Sequence, residues 1–457
     1  RQRQMCIRDR TVSMYSCGPT VYGKQHIGNL KAPLFSDLVA RVLMQAGYRV
    51  VRVINITDVG HLVSDGDEGE DKMEIGAKRD GKSARDIAEH YTSLFIDDLA
   101  LLNVDVGKIT FPRATEYIKE QIEMIKTLEA KGYTYVIHDG VYFDTSHFPD
   151  YGKLGGVADN MRKEAALALI GRRITENKEK RQPADFALWK FSRRGHARLQ
   201  EWGSPWGMGF PGWHIECSAM VKSLLGATID IHTGGMDHIP VHHNNEIAQS
   251  EAANERELAR YWLHEAFVTI RDEKISKSLD NSVYVSDIEA RGFHPLALRY
   301  YFLQAHYRSP IDFTWEALEA SNAGLHRLWK LAQEVKETSK ARAVPTDESR
   351  RMIAYLRDDL ATPQALALLW ETIQDEDLEP SQVWGVLEAA EPVLGLLLLT
   401  PPHTVPLSIP EDVAKLMRER DVARVERDFA KADKLRIHIE KRGYHVEDSA
   451  AGTVLTR

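Results

Sequence analysis

The sequence predicts an α/β protein in which a parallel sheet is interrupted by an insertion and followed by a mostly helical region. Three observations carry this: a strand–helix–strand unit at the start, a returning strand with a glycine turn near residue 230, and a largely helical pattern from Leu296 onward.

Val12–Pro19 reads as a short strand running into a turn. Leu34, Phe35, Leu38, Val39, Val42 and Leu43 then recur at three- and four-residue spacing, which puts them on one helix face, and Gly47 closes that helix. The β-branched run "YRVVRVINITD" (Tyr48–Asp58) is a buried strand. Ligands of such sheets sit at the carboxyl ends of strands, where Cys17 and Thr57 fall. From about Asp98 to Gln200 the pattern turns helical, then mixed and polar, as expected of an insertion between sheet halves. Ala227–Gly235 is the returning strand. The loop "IRDEKISKSLDN" follows Ala266, and a proline-rich break spans Pro401–Pro410. The first ten residues, "RQRQMCIRDR", have arginines but no apolar face, and are too short for a leader. They are read as a non-native tail, and Cys6 is set aside with them.

Bulk properties narrow the function classes. No apolar run approaches the roughly 20 residues that span a bilayer. Three cysteines, Cys6, Cys17 and Cys217, are too few for a disulfide scaffold and suit a reducing cytoplasm. The net charge of −8 does not advertise a polyanion partner, yet ten Lys/Arg against six Asp/Glu between Lys415 and Arg442 make a local excess of +4.

Two tempting motifs fail. "GMGFPG" (Gly207–Gly212) fits the dinucleotide glycine pattern, but no strand is expected before it, and Pro211 stands where a helix should begin. "DGDEGED" (Asp65–Asp71) resembles a calcium loop but has Glu70 where that loop needs glycine.

Four stretches hold candidate chemistry. In "PVHHNNEIAQSEA" (Pro240–Ala252), a His and a Glu four apart share one helix face and could hold a metal. Two ligands seldom make a zinc site, however, and helix geometry does not choose between His242 and His243. "CGPTVYGKQHIGN" places His26 and Asn29 at a strand-to-helix junction, where backbone N–H groups favour phosphate. "KISKS" (Lys274–Ser278) offers mobile positive charge suited to a triphosphate. "PGWHIECSAM" holds Cys217, which taken alone is a small core residue.

Together, in their order along the chain, these stretches, with "INITDVGH", "PADFALWK", "HYRSPIDFT", "DDLATPQALALL" and "RDFAKADKLR…GYHVEDSAAGT", resemble the cysteinyl-tRNA synthetases, a class I aminoacyl-tRNA synthetase family. The match covers almost the whole chain from about Val12. The resemblance implies a Rossmann-like catalytic domain with an insertion, then a helical bundle and a small terminal domain. The expected boundaries are a tail at 1–10, catalytic halves at 11–110 and 201–265 around an insertion at 111–200, a lysine-loop and stem-contact region at 266–335, a helical bundle at 336–400, and an anticodon-binding region at 401–457.

The resemblance further implies one zinc ion per chain, on Cys17, Cys217, His242 and Glu246, and so picks His242 over His243. A soft metal binds a substrate thiolate in a way serine cannot match, so no separate editing site is needed. Thr57, Trp213 and Asp237, with His232 close by, are implied for the amino-acid pocket. His26, Gly28 and Asn29 are implied for ATP, which acts with Mg2+, and Lys274 and Lys277 for the leaving pyrophosphate. Arg418, Arg424, Arg427, Lys431, Lys434 and Arg436 are expected to meet phosphates of tRNA-Cys. The expected activity is ATP-dependent attachment of L-cysteine to tRNA-Cys through cysteinyl-adenylate, by a cytoplasmic monomer with no membrane partner.

Four departures stand out. Ile275 replaces the usual Met, Gly23 and Asn244 stand where acidic residues are frequent, and no aromatic follows the terminal Gly-Thr. Native residues ahead of Thr11 are expected to be missing, which would weaken support of the first strand. The competing readings are a cysteine:amino-sugar ligase, whose relatives lack the region matched after Asp358, and an inactive tRNA- or zinc-binding paralogue.

Overall fold

The computed structural model describes residues 10–59, 62, 70–155, 178–192, 198–271, 273–275, 281–402, 411–425, 428–442, 444–449 and 452–456. The chain divides into two compact units at Leu399/Thr400.

The first unit is organised by a five-stranded sheet. Strand β1 (Thr11–Ser16) leads through helix α1 (Ile27–Gln45) to β2 (Arg49–Ile54). Thr11 lies opposite Arg49 and Ser16 opposite Ile54 in parallel register. The α1 face expected from spacing does the packing: Leu34, Phe35, Leu38 and Val39 are buried. Helices α2 (Lys72–Asp80) and α3 (Ala84–Leu101) lead to a short β3 (Ile109–Thr110). Much later, β9 (Ile229–Gly235) pairs with the other side of β1, Ser16 opposite Thr233, and β10 (Ala259–Glu265) pairs with β9. The order is β10-β9-β1-β2-β3, all parallel. The winding reverses between β1 and β9, so the crevice at their carboxyl ends is the switch point where such sheets bind ligands.

Gly18 makes that end possible. A Cβ there would sit 1.7 Å from the Asn55 carbonyl oxygen. Only glycine lets the chain leaving β1 pass so close to the chain leaving β2.

The insertion holds α4 (Ile118–Ala130) and a second, antiparallel sheet of order β4-β5-β6-β8-β7. Its strands are β4 (Thr134–Ile137), β5 (Gly140–Phe143), β6 (Phe186–Phe191), β7 (Trp202–Ser204) and β8 (Gly207–Pro211). The sheet therefore runs past residue 200. The discarded "GMGFPG" is strand β8 and Gly212, the extended N-cap of the helix Trp213–Leu224, and contrary to expectation a strand, β7, precedes it. A Cβ at Gly209 would meet the Lys190 oxygen at 2.0 Å, and one at Gly212 the Ala187 oxygen at 2.0 Å, so these glycines serve strand packing. Of "DGDEGED" only Glu70 and Asp71 lie within the described residues, and Asp71 caps α2 by accepting from the Met73 N–H.

After β9 come α6 (Asn244–Asn254), β10, then β11 (Val268–Ile270), β12 (Glu273–Lys274), α7 (Val285–Ala290), α8 (Leu296–Leu303) and β13 (Ile311–Asp312), with α5 (Trp213–Leu224) preceding β9. The helical part follows: α9 (Trp315–Ser339), α10 (Asp347–Arg357), α11 (Thr362–Ile373) and α12 (Pro380–Leu394). Leu325, Leu328, Trp329, Leu369 and Leu387 share one core with Met14 of β1 and Phe35 of α1. Bundle and sheet are thus fused by apolar packing. A buried ion cluster reinforces the joint: Asp37 of α1 meets Arg41 at 2.6 Å, Arg52 at 2.9 Å and Arg299 of α8 at 2.8 Å. Arg299 also donates to the carbonyls of Leu394 at 2.7 Å and Leu102 at 3.1 Å.

The second unit pairs α13 (Glu411–Val425) and α14 (Phe429–Glu440) with a hairpin, β14 (His445–Ser449) and β15 (Gly452–Thr456), over a small core of Val413, Ile439, Tyr444 and Val446. Among the described residues no helix is long and apolar enough to cross a membrane.

Candidate active site

Three segments converge at the β1/β9 crevice. Cys17 directly follows β1, where its N–H bonds to the Thr233 carbonyl at 3.2 Å. Cys217 lies on α5, buried against β1 and β9 residues. His242 belongs to a widened π-type turn, Ile239–His243, that feeds α6, whose first turn carries Glu246. Such a turn is a frequent mark of functional sites, and here both His242 and His243 are buried. The ligating atoms of Cys17, Cys217, His242 and Glu246 all lie within 4.8 Å of one another. His242 Nε2 is 2.9 Å from Glu246 Oε1, and Cys17 Sγ is 3.6 Å from the same oxygen. Two sulfurs, an imidazole and a carboxylate at these separations fit a tetrahedral zinc site.

The buried groups displace one another's charge states, and burial pushes the Cys17 thiol well above its usual value. A hydrogen bond from Cys17 holds the Cys217 thiol down at about 6. Burial opposes charge on Glu246, but His232 and His242 outweigh it and keep the carboxylate below its usual range. Burial likewise opposes charge on His242, which Glu246 and Cys217 nevertheless raise to about 10.

Sequence reasoning named His232 and weighed His243, but did not single out His214 or His264, which pack with them around this group. His214 Nδ1 is 2.9 Å from His242 Nδ1, and His243 Nδ1 is 2.8 Å from His264 Nε2. His232 Nε2 is 3.0 Å from Glu246 Oε2, and its ring stacks on Trp262. Single histidines scattered over some fifty residues give no spacing signal; only the fold gathers them.

In front of the cluster opens a cavity of about 580 Å³. Cys17, His242, Trp213 and Asp237 line one part of it, and His26, Gly28 and Asn29 another. His26 caps α1: its Nδ1 accepts from the Asn29 N–H at 3.2 Å, while Asn29 Oδ1 accepts from the His26 N–H at 3.3 Å. With Nδ1 accepting, the neutral ring carries its proton on Nε2. A Cβ at Gly28 would stand 3.1 Å from the His26 ring and 3.3 Å from Ile275 Cδ1, so this glycine lets the lysine loop approach the cap. The same helix start is tied to the far side of that loop by the Ile27 N–H to Val283 carbonyl bond, 2.8 Å.

Thr57 and His232 are not on the cavity wall. Thr57 is buried and accepts from Asn55 at 3.1 Å, and His232 sits behind Glu246. Lys274 ends β12 opposite Thr269, but its side chain and all of Lys277 lie outside the described residues. In the second unit Arg418, Arg424, Lys431, Lys434 and Arg436 lie on α13 and α14, and Arg427 falls outside the described residues.

The cavity wall also holds a carboxyl that sequence reasoning did not single out. Glu265, at the end of β10, is 5% exposed, and burial raises its carboxyl to about 8. Nearby Lys31, pushed down to about 8 by burial, donates to the Ala266 carbonyl at 2.7 Å. The folded chain therefore keeps a proton on Glu265 that the unfolded chain releases near pH ~4.3, and stability falls as pH rises from there to about 8. Glu265→Gln is expected to gain on the unaltered chain by about 2–4 kcal/mol between pH ~5 and pH ~9. Denaturant midpoints at several pH values read this directly, and a gap that does not widen with pH would refute it.

Comparison with known proteins places this geometry. The family profile described as "tRNA synthetases class I (C) catalytic domain" matches residues 3–323. The chain is 46% identical over 447 residues to "Cysteine--tRNA ligase 1" of Burkholderia lata, covering 98% of this chain and 92% of that protein. It is 40% identical over 461 residues to a "Cysteine--tRNA ligase" of Thermus thermophilus, covering 96% and 94%. Its fold is similar to that of Mycobacterium tuberculosis methionyl-tRNA synthetase solved with methionyl-adenylate, with a TM-score of 0.59 at 17% identity over 86% of this chain and 91% of that one. It is also similar to the Agrobacterium radiobacter LeuRS in a ternary complex with tRNA, with a TM-score of 0.62 at 11% identity over 88% and 86%.

Proposed function

The chain belongs to the class I tRNA synthetases of the cysteine type, and from that premise we propose that it attaches L-cysteine to tRNA-Cys with ATP as the energy source. The observation that carries the substrate choice is the Cys17–Cys217–His242–Glu246 group, open to the cavity through Cys17 and His242. A zinc ion held by these four would bind the sulfur of the substrate as thiolate, a bond that serine and alanine cannot replace.

The remaining work falls to the chain's own residues. The Trp213 ring packs 4.4 Å from the His242 ring and closes the amino-acid side of the pocket with Asp237. Thr57, whose backbone bonds to Pro19 and Val21, serves the amino-acid pocket from beside Pro19 and Thr20 of the cavity lining. His26 presents its Nε2–H, and Asn29 and the start of α1 their N–H groups, toward ATP phosphates. Gly28 keeps room for the lysine loop, whose Lys274 and Lys277 neutralise the leaving pyrophosphate. Mg2+ accompanies the ATP. The substrate carboxylate attacks the α-phosphate and displaces pyrophosphate, giving cysteinyl-adenylate. A terminal ribose hydroxyl of the tRNA then takes the cysteinyl group and AMP leaves. Catalysis is positioning and charge stabilisation, with no covalent enzyme intermediate. Arg418, Arg424, Arg427, Lys431, Lys434 and Arg436 meet tRNA phosphates, and the protein works as a cytoplasmic monomer.

Charging of a tRNA-Cys transcript, with cysteine-dependent and serine-independent exchange of pyrophosphate into ATP, tests this reading. Adenylate formation followed by transfer only to an amino-sugar would identify a ligase, and tRNA binding without adenylate an inactive paralogue. His26→Ala is expected to lower exchange about 10²–10³-fold. Loss of the cap should cost only about 0.5–2 kcal/mol of stability, so equal damage to folding and exchange would assign His26 a structural role alone.

A further inference from the structure

The buried cluster holds more donor atoms than one ion needs. A second set closes on two of the same residues: the ligating atoms of Cys17, His232, His243 and Glu246 also all lie within 4.8 Å of one another. Cys17 Sγ is 3.4 Å from His243 Nε2 and 3.6 Å from Glu246 Oε1. Glu246 is 3.0 Å from His232 Nε2 through Oε2 and 4.0 Å from His243 Nε2 through Oε1. Zinc bonds of about 2.0–2.3 Å in a tetrahedron put donor atoms roughly 3.3–3.8 Å apart. Each of these four separations lies within a few tenths of an ångström of that range, Glu246 taking part through Oε1 toward Cys17 and His243 and through Oε2 toward His232.

Their orientation is fixed from outside. The 2.8 Å bond between His243 Nδ1 and His264 Nε2 leaves His243 Nε2 turned toward Cys17. Support of this kind is what orients a ligating imidazole. Trp262 stacks on the His232 ring with centroids 4.5 Å apart, steadying its Nε2 toward Glu246. The carboxylate of Glu246 thus faces both ways, Oε1 to His242 at 2.9 Å and Oε2 to His232 at 3.0 Å.

We propose that the chain has a second, overlapping position for a soft divalent cation, held by Cys17, His232, His243 and Glu246. The proposal rests on the reading of Cys17, Cys217, His242 and Glu246 as metal ligands, since it shares two of them. The two positions differ in what they can reach. Both Cys17 and His242 line the cavity, whereas of the second set only Cys17 does. A cation in the second position has four protein ligands and stands behind the wall, out of reach of an amino-acid thiolate. It is a holding position that retains the ion without presenting it to substrate.

Cobalt(II) substitution tests this, because tetrahedral sulfur–nitrogen coordination absorbs visible light and each thiolate adds charge-transfer intensity. The unaltered chain is expected to bind cobalt with two-thiolate intensity and to change spectrum when L-cysteine is added. The Cys217→Ser, His242→Ala double variant should still retain one equivalent, with one-thiolate intensity and no response to L-cysteine. Adding His232→Ala and His243→Ala should abolish retention. A folded double variant that retains no cobalt, or one whose retention survives loss of both histidines, overturns the proposal. If the double variant does not fold, Cys217→Ser alone is compared with Cys217→Ser, His243→Ala; equal retention is again the overturning result. An unaltered chain that binds no cobalt instead refutes the first metal position, which keeps the two failures apart.

Discussion

Cys17→Ser is expected to leave the purified chain without bound metal and to lower cysteine-dependent pyrophosphate exchange by more than about a hundredfold. Changing residues that merely support a metal ligand costs about 10–100-fold in affinity or activity, and a ligand itself should cost at least the upper end. Cys17 is also the sulfur ligand that no neighbour can replace, because it belongs to both four-residue groups in the cluster. The swap is close in shape, so the fold should survive: Cys17 is held at the end of β1 by its backbone bond to Thr233, which serine keeps. Metal analysis, exchange and circular dichroism on one preparation decide the matter. A Cys17→Ser protein with a full equivalent of metal and undiminished exchange would sink the metal reading.

The second large effect concerns stability. Asp37→Asn is expected to destabilise the first unit by about 3–5 kcal/mol, the range for breaking a buried ion pair from one side. Arg52 and Arg299 are 4% and 3% exposed at the side chain and would be left facing a neutral amide. Burial works against the Asp37 charge, but Arg299, Arg41 and Arg52 overcome it and hold the carboxyl below its ordinary value. Its contribution is therefore complete above the unfolded value near pH ~3.9 and is lost as pH falls through the lower folded value. Denaturant unfolding of unaltered and variant protein at neutral pH and toward pH ~3 should show the gap shrinking with acid. A difference under about 1 kcal/mol at neutral pH would mean the cluster is no better than a surface pair.

The parts of the fold visible in the sequence were those with a dense, regular signal. The α1 face and the β-branched run of β2 obey simple periods, so strand, helix and strand could be placed before the sheet was known. The antiparallel sheet of the insertion was hidden because its strands are short; β7 has three residues, and β8 resembled a failed nucleotide motif. At the site, His242 and Glu246 were visible as a helical pair, yet their partners were not. Cys17 and Cys217 stand two hundred residues apart, so nothing local joins them, and only resemblance selected them. Glu265, His214 and His264 left no trace, since their meaning comes from burial. Thr57, expected in the pocket, is buried and accepts from Asn55 beside Pro19 and Thr20 of the cavity lining, a detail of placement that sequence does not carry.

The central place of β1 has a consequence during synthesis. Its partner on one side, β2, emerges from the ribosome soon after it, but β9 begins more than two hundred residues later. At about 5–20 residues per second, one flank of the growing sheet stays open for roughly 10–40 seconds. Through that interval a nascent chain presents the bare backbone of an apolar strand to every other chain nearby, a template for wrong pairing.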